Sequence, residues 1–122
     1  MPIHLETSGV DPISGQPNWI TLSPKRHAPP RLELLAGCNE LKVVIHKQDD
    51  LHFAEVMAEK ALNAKKDFLN SQDINTKIPK HISLFLQPGW SSTEGQELAI
   101  EYVKHHPAWR LSMQTHKWLD LL

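Results

Sequence analysis

Hydrophobic positions along the chain form four short runs separated by polar and turn-forming residues. The runs cover residues 3–7, 19–22, 41–45 and 82–86, and their β-branched and large apolar side chains predict β-strands. A turn signal or a polar break follows each run. Several runs are apolar at both alternating positions, which favours strands buried on both faces of a mostly parallel sheet.

Two longer stretches repeat apolar residues every three or four positions and predict amphipathic helices. The first covers about residues 51–68, with Asp49 or Asp50 as its candidate N-cap, and a polar connector at 70–80 is the best candidate for a flexible loop. The second helix begins near residues 91–93 and is closed by Pro107. Two pairs there have the spacing of a capping box: Thr93 with Gln96, and Ser91 with Glu94.

The end of the chain alternates polar and apolar residues over 110–114, as in a half-buried strand. Four polar residues at 114–117 then stand where that strand would end; a solvated surface turn is the alternative, and periodicity does not decide between the two. The order strand, strand, strand, helix, strand, helix, strand is typical of the α/β class. We expect residues 1–122 to form one domain, with no separate second domain.

Charge and hydropathy exclude several classes of function. Lys and Arg number 13 against 14 Asp and Glu, for a net charge of −1, and basic residues form no block. We therefore expect no nucleic acid and no membrane among its partners. The start has no charged leader, and no run approaches about 18 apolar residues, so a cytoplasmic location is expected.

Cys38 is the only cysteine, so these residues hold neither a disulfide framework nor a multi-cysteine zinc or iron–sulfur site. A single buried thiol is the ordinary interpretation. His105 and His106 are adjacent and would point in different directions on a helix, and His116 lies apart from them. No metal-binding spacing and no catalytic triad motif occurs, so we assign no metal ligand and no catalytic residue.

Polar and flexible residues follow several predicted strands, and the carboxyl ends of strands in α/β folds present ligand-binding groups. Gly9 can bring the backbone close to a ligand. Ser23 and Lys25 offer a hydroxyl and an ammonium for a carboxylate or a ribose, and Gln87 offers amide donors and an acceptor. Each of these residues also has an ordinary interpretation as part of a turn or a strand end.

Five motifs resemble the carboxy-terminal half of the 7-carboxy-7-deazaguanine synthase family and occur in the family's order. They are ETSG at 6–9, WITLSPK at 19–25, ELKVV at 40–44, QP at 87–88 and WRLSMQTHK at 109–117. The similarity spans essentially the whole chain and is least diagnostic over residues 49–80. It implies an incomplete radical-SAM βα barrel, a mostly parallel sheet with flanking helices.

The resemblance also implies a reaction. Family members are carbon–nitrogen lyases that contract 6-carboxytetrahydropterin to 7-carboxy-7-deazaguanine, on the route to queuosine and related deazapurines. Their cofactors are S-adenosylmethionine (SAM), a [4Fe–4S] cluster that cleaves SAM to a 5′-deoxyadenosyl radical, and Mg²⁺. A pterin substrate and a homodimer are therefore expected.

By the same resemblance, Thr7, His116 and the terminal carboxylate of Leu122 would contact the substrate. The residues that would line the SAM cleft are Gly9, Ser23, Pro24, Lys25, Gln87, Pro88, Gly89 and Trp90.

The chain departs from the family pattern in two respects. The family's Cys-x3-Cys-x2-Cys motif, its magnesium ligand and its early substrate-binding residues all precede the position of Glu6, and none has a counterpart here. Asp120 stands where a glycine is usual, which adds a charge and a Cβ close to the proposed Leu122 contact.

Three hypotheses follow. The chain is part of a deazaguanine synthase, either truncated or complemented by a separate amino-terminal half, and is inactive by itself. Alternatively it is a remnant that binds SAM or pterin-like ligands without cleaving SAM, or an interaction module that uses an exposed sheet edge. The DNA upstream of the Met1 codon discriminates among them. A reading frame that encodes the Cys-x3-Cys-x2-Cys motif would be in frame for a truncated enzyme and separate but adjacent for a split enzyme. If neither reading frame exists, the catalytic hypothesis fails.

Overall fold

Five strands and three helices make up the part of the chain that the computed structural model describes, residues 3–12, 15, 17–70, 78–79 and 81–112. In chain order they are β1 His4–Thr7, β2 Trp19–Leu22, α1 Leu32–Gly37, β3 Glu40–Ile45, α2 Gln48–Asn70, β4 Ser83–Pro88, α3 Thr93–His105 and β5 Trp109–Leu111. The predicted α/β class is confirmed.

The strands form one parallel sheet in the order β1-β2-β3-β4-β5. Crossovers between neighbouring parallel strands are right-handed in nearly all proteins, so a sheet that grows in one direction places its helices on one face. In agreement, α2 contacts both α1 and α3. All the strands end at the same edge of the sheet, which we call the carboxyl edge.

The other face of the sheet is more polar. On β3, Leu41, Val43 and Ile45 are buried, whereas the alternating positions are only half-buried. The prediction that strands are buried on both faces is therefore wrong for β3. Because successive side chains of a strand point to opposite faces, β3 buries the face that packs on the helices and presents Lys42 on the other.

The sequence pattern missed α1 and misplaced two helix caps. Helix α2 begins at Gln48, so neither Asp49 nor Asp50 is its N-cap. The N-cap of α3 is Ser92, whose hydroxyl accepts a 2.9 Å hydrogen bond from the backbone N–H of Gly95. Since the third residue of α3 is a glycine, neither predicted capping box forms.

The core lies between the sheet and the helices. Its largest fully buried side chains include Leu22, Leu34, Leu41, Ile45 and Leu86. Cys38 is buried beside α1, and this burial raises the pKa of its thiol to about 11, a shift that the charge of Lys65 opposes. The expectation of a single buried thiol is confirmed. No helix within the described ranges is long and apolar enough to cross a membrane.

Candidate functional site

Three turns at the carboxyl edge bring together the candidate residues that the structure describes. Thr7 ends β1 and Gly9 follows it, Ser23 to Lys25 follow β2, and the third turn begins within β4 at Gln87 and continues to Trp90. These segments are far apart in sequence, and the parallel sheet places them along one edge.

The turn after β1 is held by its own residues. The hydroxyl of Thr7 accepts a 3.1 Å hydrogen bond from the N–H of Gly9, and the carbonyl of Gly9 accepts a 2.7 Å bond from the N–H of Arg31. Gly9 has a φ of +82°, and a Cβ there would lie 2.6 Å from Cβ of Pro30 and 2.7 Å from Cδ1 of Leu22. Packing against Pro30 and Leu22 therefore already requires glycine at this position.

The turn after β2 is fixed by its backbone. Ser23 donates a 2.8 Å hydrogen bond to the carbonyl of Thr7, Pro24 is buried, and the N–H of Ala28 closes the turn on the carbonyl of Lys25 at 3.2 Å. The side chain of Lys25 is exposed and makes no ion pair with any described residue. Its ammonium is therefore available to an anionic ligand.

The segment from Gln87 to Trp90 combines a largely buried glutamine with an exposed indole. Gln87 is 7% exposed, and its amide makes no hydrogen bond among the described residues, although no fully buried polar atom there lacks a partner. The amide therefore reaches solvent at the edge and can bind a ligand. Trp90 is 61% exposed, and Gly89 donates a 2.9 Å hydrogen bond to the carbonyl of Ile45.

Three residues at this edge were not singled out as site residues by the sequence: Arg26, His46 and Asp50. Asp50 is buried, and its carboxylate accepts 2.8 Å and 3.0 Å hydrogen bonds from the N–H groups of His46 and Lys47 and pairs with Nη1 of Arg26 at 3.3 Å. Burial alone would raise the pKa of Asp50, but these hydrogen bonds and the guanidinium together lower it.

The polar face of the sheet carries side-chain pairs that cross between strands. Nζ of Lys42 lies 2.5 Å from Oε1 of Glu6, and Nε2 of His4 lies 2.8 Å from Oγ1 of Thr21. Glu6 is the next-to-last residue of β1, so its pair with Lys42 lies close to the carboxyl edge. Charged groups therefore stand beside the candidate cleft.

His105 and His106 lie elsewhere. His105 ends α3 at the opposite edge of the sheet and pairs with Glu101 at 2.9 Å. His106 is the C-cap of α3, and its ring stacks on Tyr102 with centroids 3.7 Å apart. Both histidines line a groove of about 580 Å³ that contains none of the candidate residues. Within the described ranges no three His, Cys, Asp or Glu side chains are grouped to hold a metal ion.

Two candidate substrate contacts, His116 and Leu122, lie outside the described residues. Asp120 and the polar run at 114–117 lie there as well. The roles of these residues stay predictions, as do the ligand contacts assigned to the turns.

No protein-family model matches the chain. The curated relatives that match it carry the same name. The 7-carboxy-7-deazaguanine synthase of Prochlorococcus marinus is 60% identical over 122 residues, which cover 100% of this chain and 54% of that protein. The synthase of Synechocystis is 38% identical, with 98% of this chain and 49% of the relative covered. The synthase of Flavobacterium psychrophilum is 36% identical, with 99% of this chain and 50% of the relative covered.

A solved structure agrees with the sequence relatives. The crystal structure of QueE from Escherichia coli matches 93% of this chain and 44% of its own, with a TM-score of 0.59 and 25% identity. The chain spans about half the length of the curated relatives it matches, which fits the expected resemblance to one half of such proteins. The chain belongs to the 7-carboxy-7-deazaguanine synthase family.

Proposed function

We propose that this chain forms the SAM-holding half of an enzyme that converts 6-carboxytetrahydropterin to 7-carboxy-7-deazaguanine. The observation that carries the proposal is the Gln87 amide, which is 7% exposed yet makes no hydrogen bond among the described residues, at an edge that also presents Lys25 and Trp90. Because no fully buried polar atom of the described residues lacks a partner, the Gln87 amide reaches solvent at this edge, where its donors and acceptor can bind a ligand.

The side chains at the carboxyl edge fit the chemistry of SAM. The ammonium of Lys25 suits the carboxylate of the methionine part, and the hydroxyl of Ser23 suits a ribose hydroxyl. The Gln87 amide can both donate to and accept from an adenine edge, and the exposed Trp90 offers an aromatic face for stacking. When bound, SAM supplies the 5′-deoxyadenosyl group, and these residues orient it and exclude water.

These 122 residues do not fit the [4Fe–4S] cluster. The family holds it with three spaced thiolates, whereas Cys38 is the only cysteine here, is buried beside α1, and has a pKa of about 11. We therefore propose that the chain alone does not cleave SAM, and that cluster and Mg²⁺ are held by an amino-terminal half.

Strand β1 is the proposed contact for that half. It lies at the end of the sheet, and none of the described strands pairs with its outer side. Its exposed His4 and Glu6 point along the polar face, and Ile3 beside it is 58% exposed. A parallel strand added there would continue the barrel and cover this edge.

The experiment is a titration of the ¹⁵N-labelled chain with SAM, followed by two-dimensional NMR. We expect the amide resonances of Gly9, Lys25 and Gly89 to shift in fast exchange, because half of a cleft binds weakly. Gln87→Ala should weaken binding by about tenfold, the effect of losing one hydrogen bond to the ligand. Gln96→Ala is the matched control, since Gln96 is exposed on α3.

Unchanged affinity in Gln87→Ala would contradict the proposal. So would shifts confined to the groove near His105 and His106, at the opposite edge of the sheet.

A further inference from the structure

One buried carboxylate joins two of the turns at the carboxyl edge. Oδ2 of Asp50 accepts hydrogen bonds of 2.8 Å from His46 and 3.0 Å from Lys47, both at the end of β3. Oδ1 of the same carboxylate lies 3.3 Å from Nη1 of Arg26, in the turn after β2. Asp50 is only 8% exposed, whereas the side chain of Arg26 is 54% exposed, so the carboxylate is buried and its guanidinium partner reaches solvent.

His46 extends this connection to the third turn. A Cβ on Gly89 would lie 2.0 Å from Cε1 of His46, so the imidazole ring occupies the space beside that glycine. The N–H of Gly89 also donates to the carbonyl of Ile45 at 2.9 Å. The backbone that Asp50 holds at His46 and Lys47 therefore fixes where Gly89 lies.

Helix capping explains only part of this arrangement. Asp50 is the third residue of α2, and a carboxylate at that position commonly accepts from the N–H just before the helix. The bond from Lys47 meets this need. Arg26 lies 24 residues earlier and contributes nothing to the cap, yet it reaches the same carboxylate.

We propose that Asp50 and Arg26 are positioning residues of the SAM cleft. Arg26 draws the turn that carries Lys25 toward Asp50, and Asp50 fixes the corner against which Gly89 and its neighbours Gln87 and Trp90 are placed. Neither residue needs to contact SAM. The role of Arg26 and Asp50 in SAM binding rests on the proposed function, whereas their role in holding the turns together does not.

The first measurement uses the free chain. Arg26→Gln is compared with Arg31→Gln, because both arginines pair with a carboxylate and their side chains are 54% and 46% exposed. Arg31 pairs with Glu33 two residues away, so its ion pair joins no two turns. In ¹⁵N spectra, Arg26→Gln should shift the amides of His46 and Gly89, and Arg31→Gln should leave them in place.

The second measurement is affinity for S-adenosylhomocysteine. Arg26→Gln should weaken binding by about fivefold to tenfold, and Arg26→Lys should restore much of it because an ammonium can still pair with Asp50. The double variant Arg26→Gln with Asp50→Asn should lose less affinity than the sum of the two single losses, since both changes break the same contact. All single variants at Arg26 and Arg31 should melt within a few degrees of the wild type.

The outcomes separate the two proposals. Unshifted His46 and Gly89 amides in Arg26→Gln, or affinity in that variant equal to the wild type, would overturn the positioning role. Failure of Arg26→Lys to improve on Arg26→Gln would do the same. A wild-type chain that binds no S-adenosylhomocysteine overturns the proposed function and the cofactor role of the pair, while the free-chain spectra alone decide whether the turns are connected.

Discussion

The ammonium nitrogen of Lys65 lies 2.6 Å from the carbonyl oxygen of Cys38, with the side chain almost wholly buried. It donates a second 2.6 Å hydrogen bond to the carbonyl of Ala36. The last carbonyl groups of a helix have no partner within the helix, and leaving them buried and unpaired destabilises the fold. One side chain of α2 therefore completes the end of the short helix α1 and holds it against the core.

Replacing this lysine tests its structural role. We expect Lys65→Met to lower the free energy of unfolding by about 2–4 kcal/mol, because both carbonyls lose their partner although the methylene packing is kept. Lys66→Met is the matched control, since Lys66 is exposed, and should change stability by less than about 0.5 kcal/mol. Urea denaturation followed by circular dichroism measures both. Equal stability of the two variants would show that the carbonyls are satisfied without Lys65.

Burial of Cys38 predicts an unreactive thiol. The thiolate is the reactive form, and burial raises the pKa of Cys38 to about 11, so little thiolate exists at neutral pH. Alkylation followed by mass spectrometry should therefore find the native chain almost unlabelled and the chain in guanidinium fully labelled. Native labelling as fast as that of an unstructured peptide would contradict this burial.

Glu55 links α2 to α3 and β5. It accepts a hydrogen bond from the hydroxyl of Tyr102 and another, of 2.8 Å, from the indole N–H of Trp109. Burial, the bond to Glu55 and the negative charge of Glu55 all raise the pKa of Tyr102 above its ordinary value.

Glu55→Gln should therefore lower the pKa of Tyr102, because the charge that opposes tyrosinate formation is removed. Tyr102 is the only tyrosine, so absorbance of the folded chain during an alkaline titration reports it directly. Glu59→Gln, one turn further along α2, is the control and should leave the midpoint unchanged. An unchanged midpoint in Glu55→Gln would mean that burial alone sets the pKa.

The lowered pKa of Asp50 makes stability depend on pH. A carboxyl whose folded-state pKa lies below its unfolded value stabilises the fold above the unfolded value, here about 3.8, and this contribution is lost as the pH falls through the folded-state pKa. At neutral pH, Asp50→Asn should cost about 1–2 kcal/mol. The difference from the wild type should shrink as the solution is acidified. Asp49→Asn is the exposed control, and a difference independent of pH would contradict this assignment.

The sequence predicted those elements whose patterns are long or strongly apolar. Strands β2, β3 and β4 and helices α2 and α3 follow runs or periodic stretches of this kind. Helix α1 was missed because it has six residues, too few to show a period, and follows two prolines. The N-cap of α3 was misplaced by one residue because Ser91, Ser92 and Thr93 all carry hydroxyl groups that can cap.

The grouping of the candidate turns could be predicted because the strands of a parallel sheet end at one edge. The bond between Arg26 and Asp50 could not, since it joins residues 24 positions apart on different elements. Gly9 shows a second limit: its packing against Pro30, which by itself requires glycine, was not predicted, and its contact with a ligand stays a prediction. Both cases depend on tertiary contacts that local patterns do not contain.

A chimeric enzyme tests the central claim most directly. The matching half of the 60% identical Prochlorococcus marinus synthase is replaced by this chain, and formation of 7-carboxy-7-deazaguanine from 6-carboxytetrahydropterin is measured under reducing conditions with SAM. We predict product from the chimera, less product when it carries Gln87→Ala, and neither product nor 5′-deoxyadenosine from the 122-residue chain alone. A folded chimera that holds its iron–sulfur cluster but forms no product would contradict the assignment of this chain as the SAM-holding half.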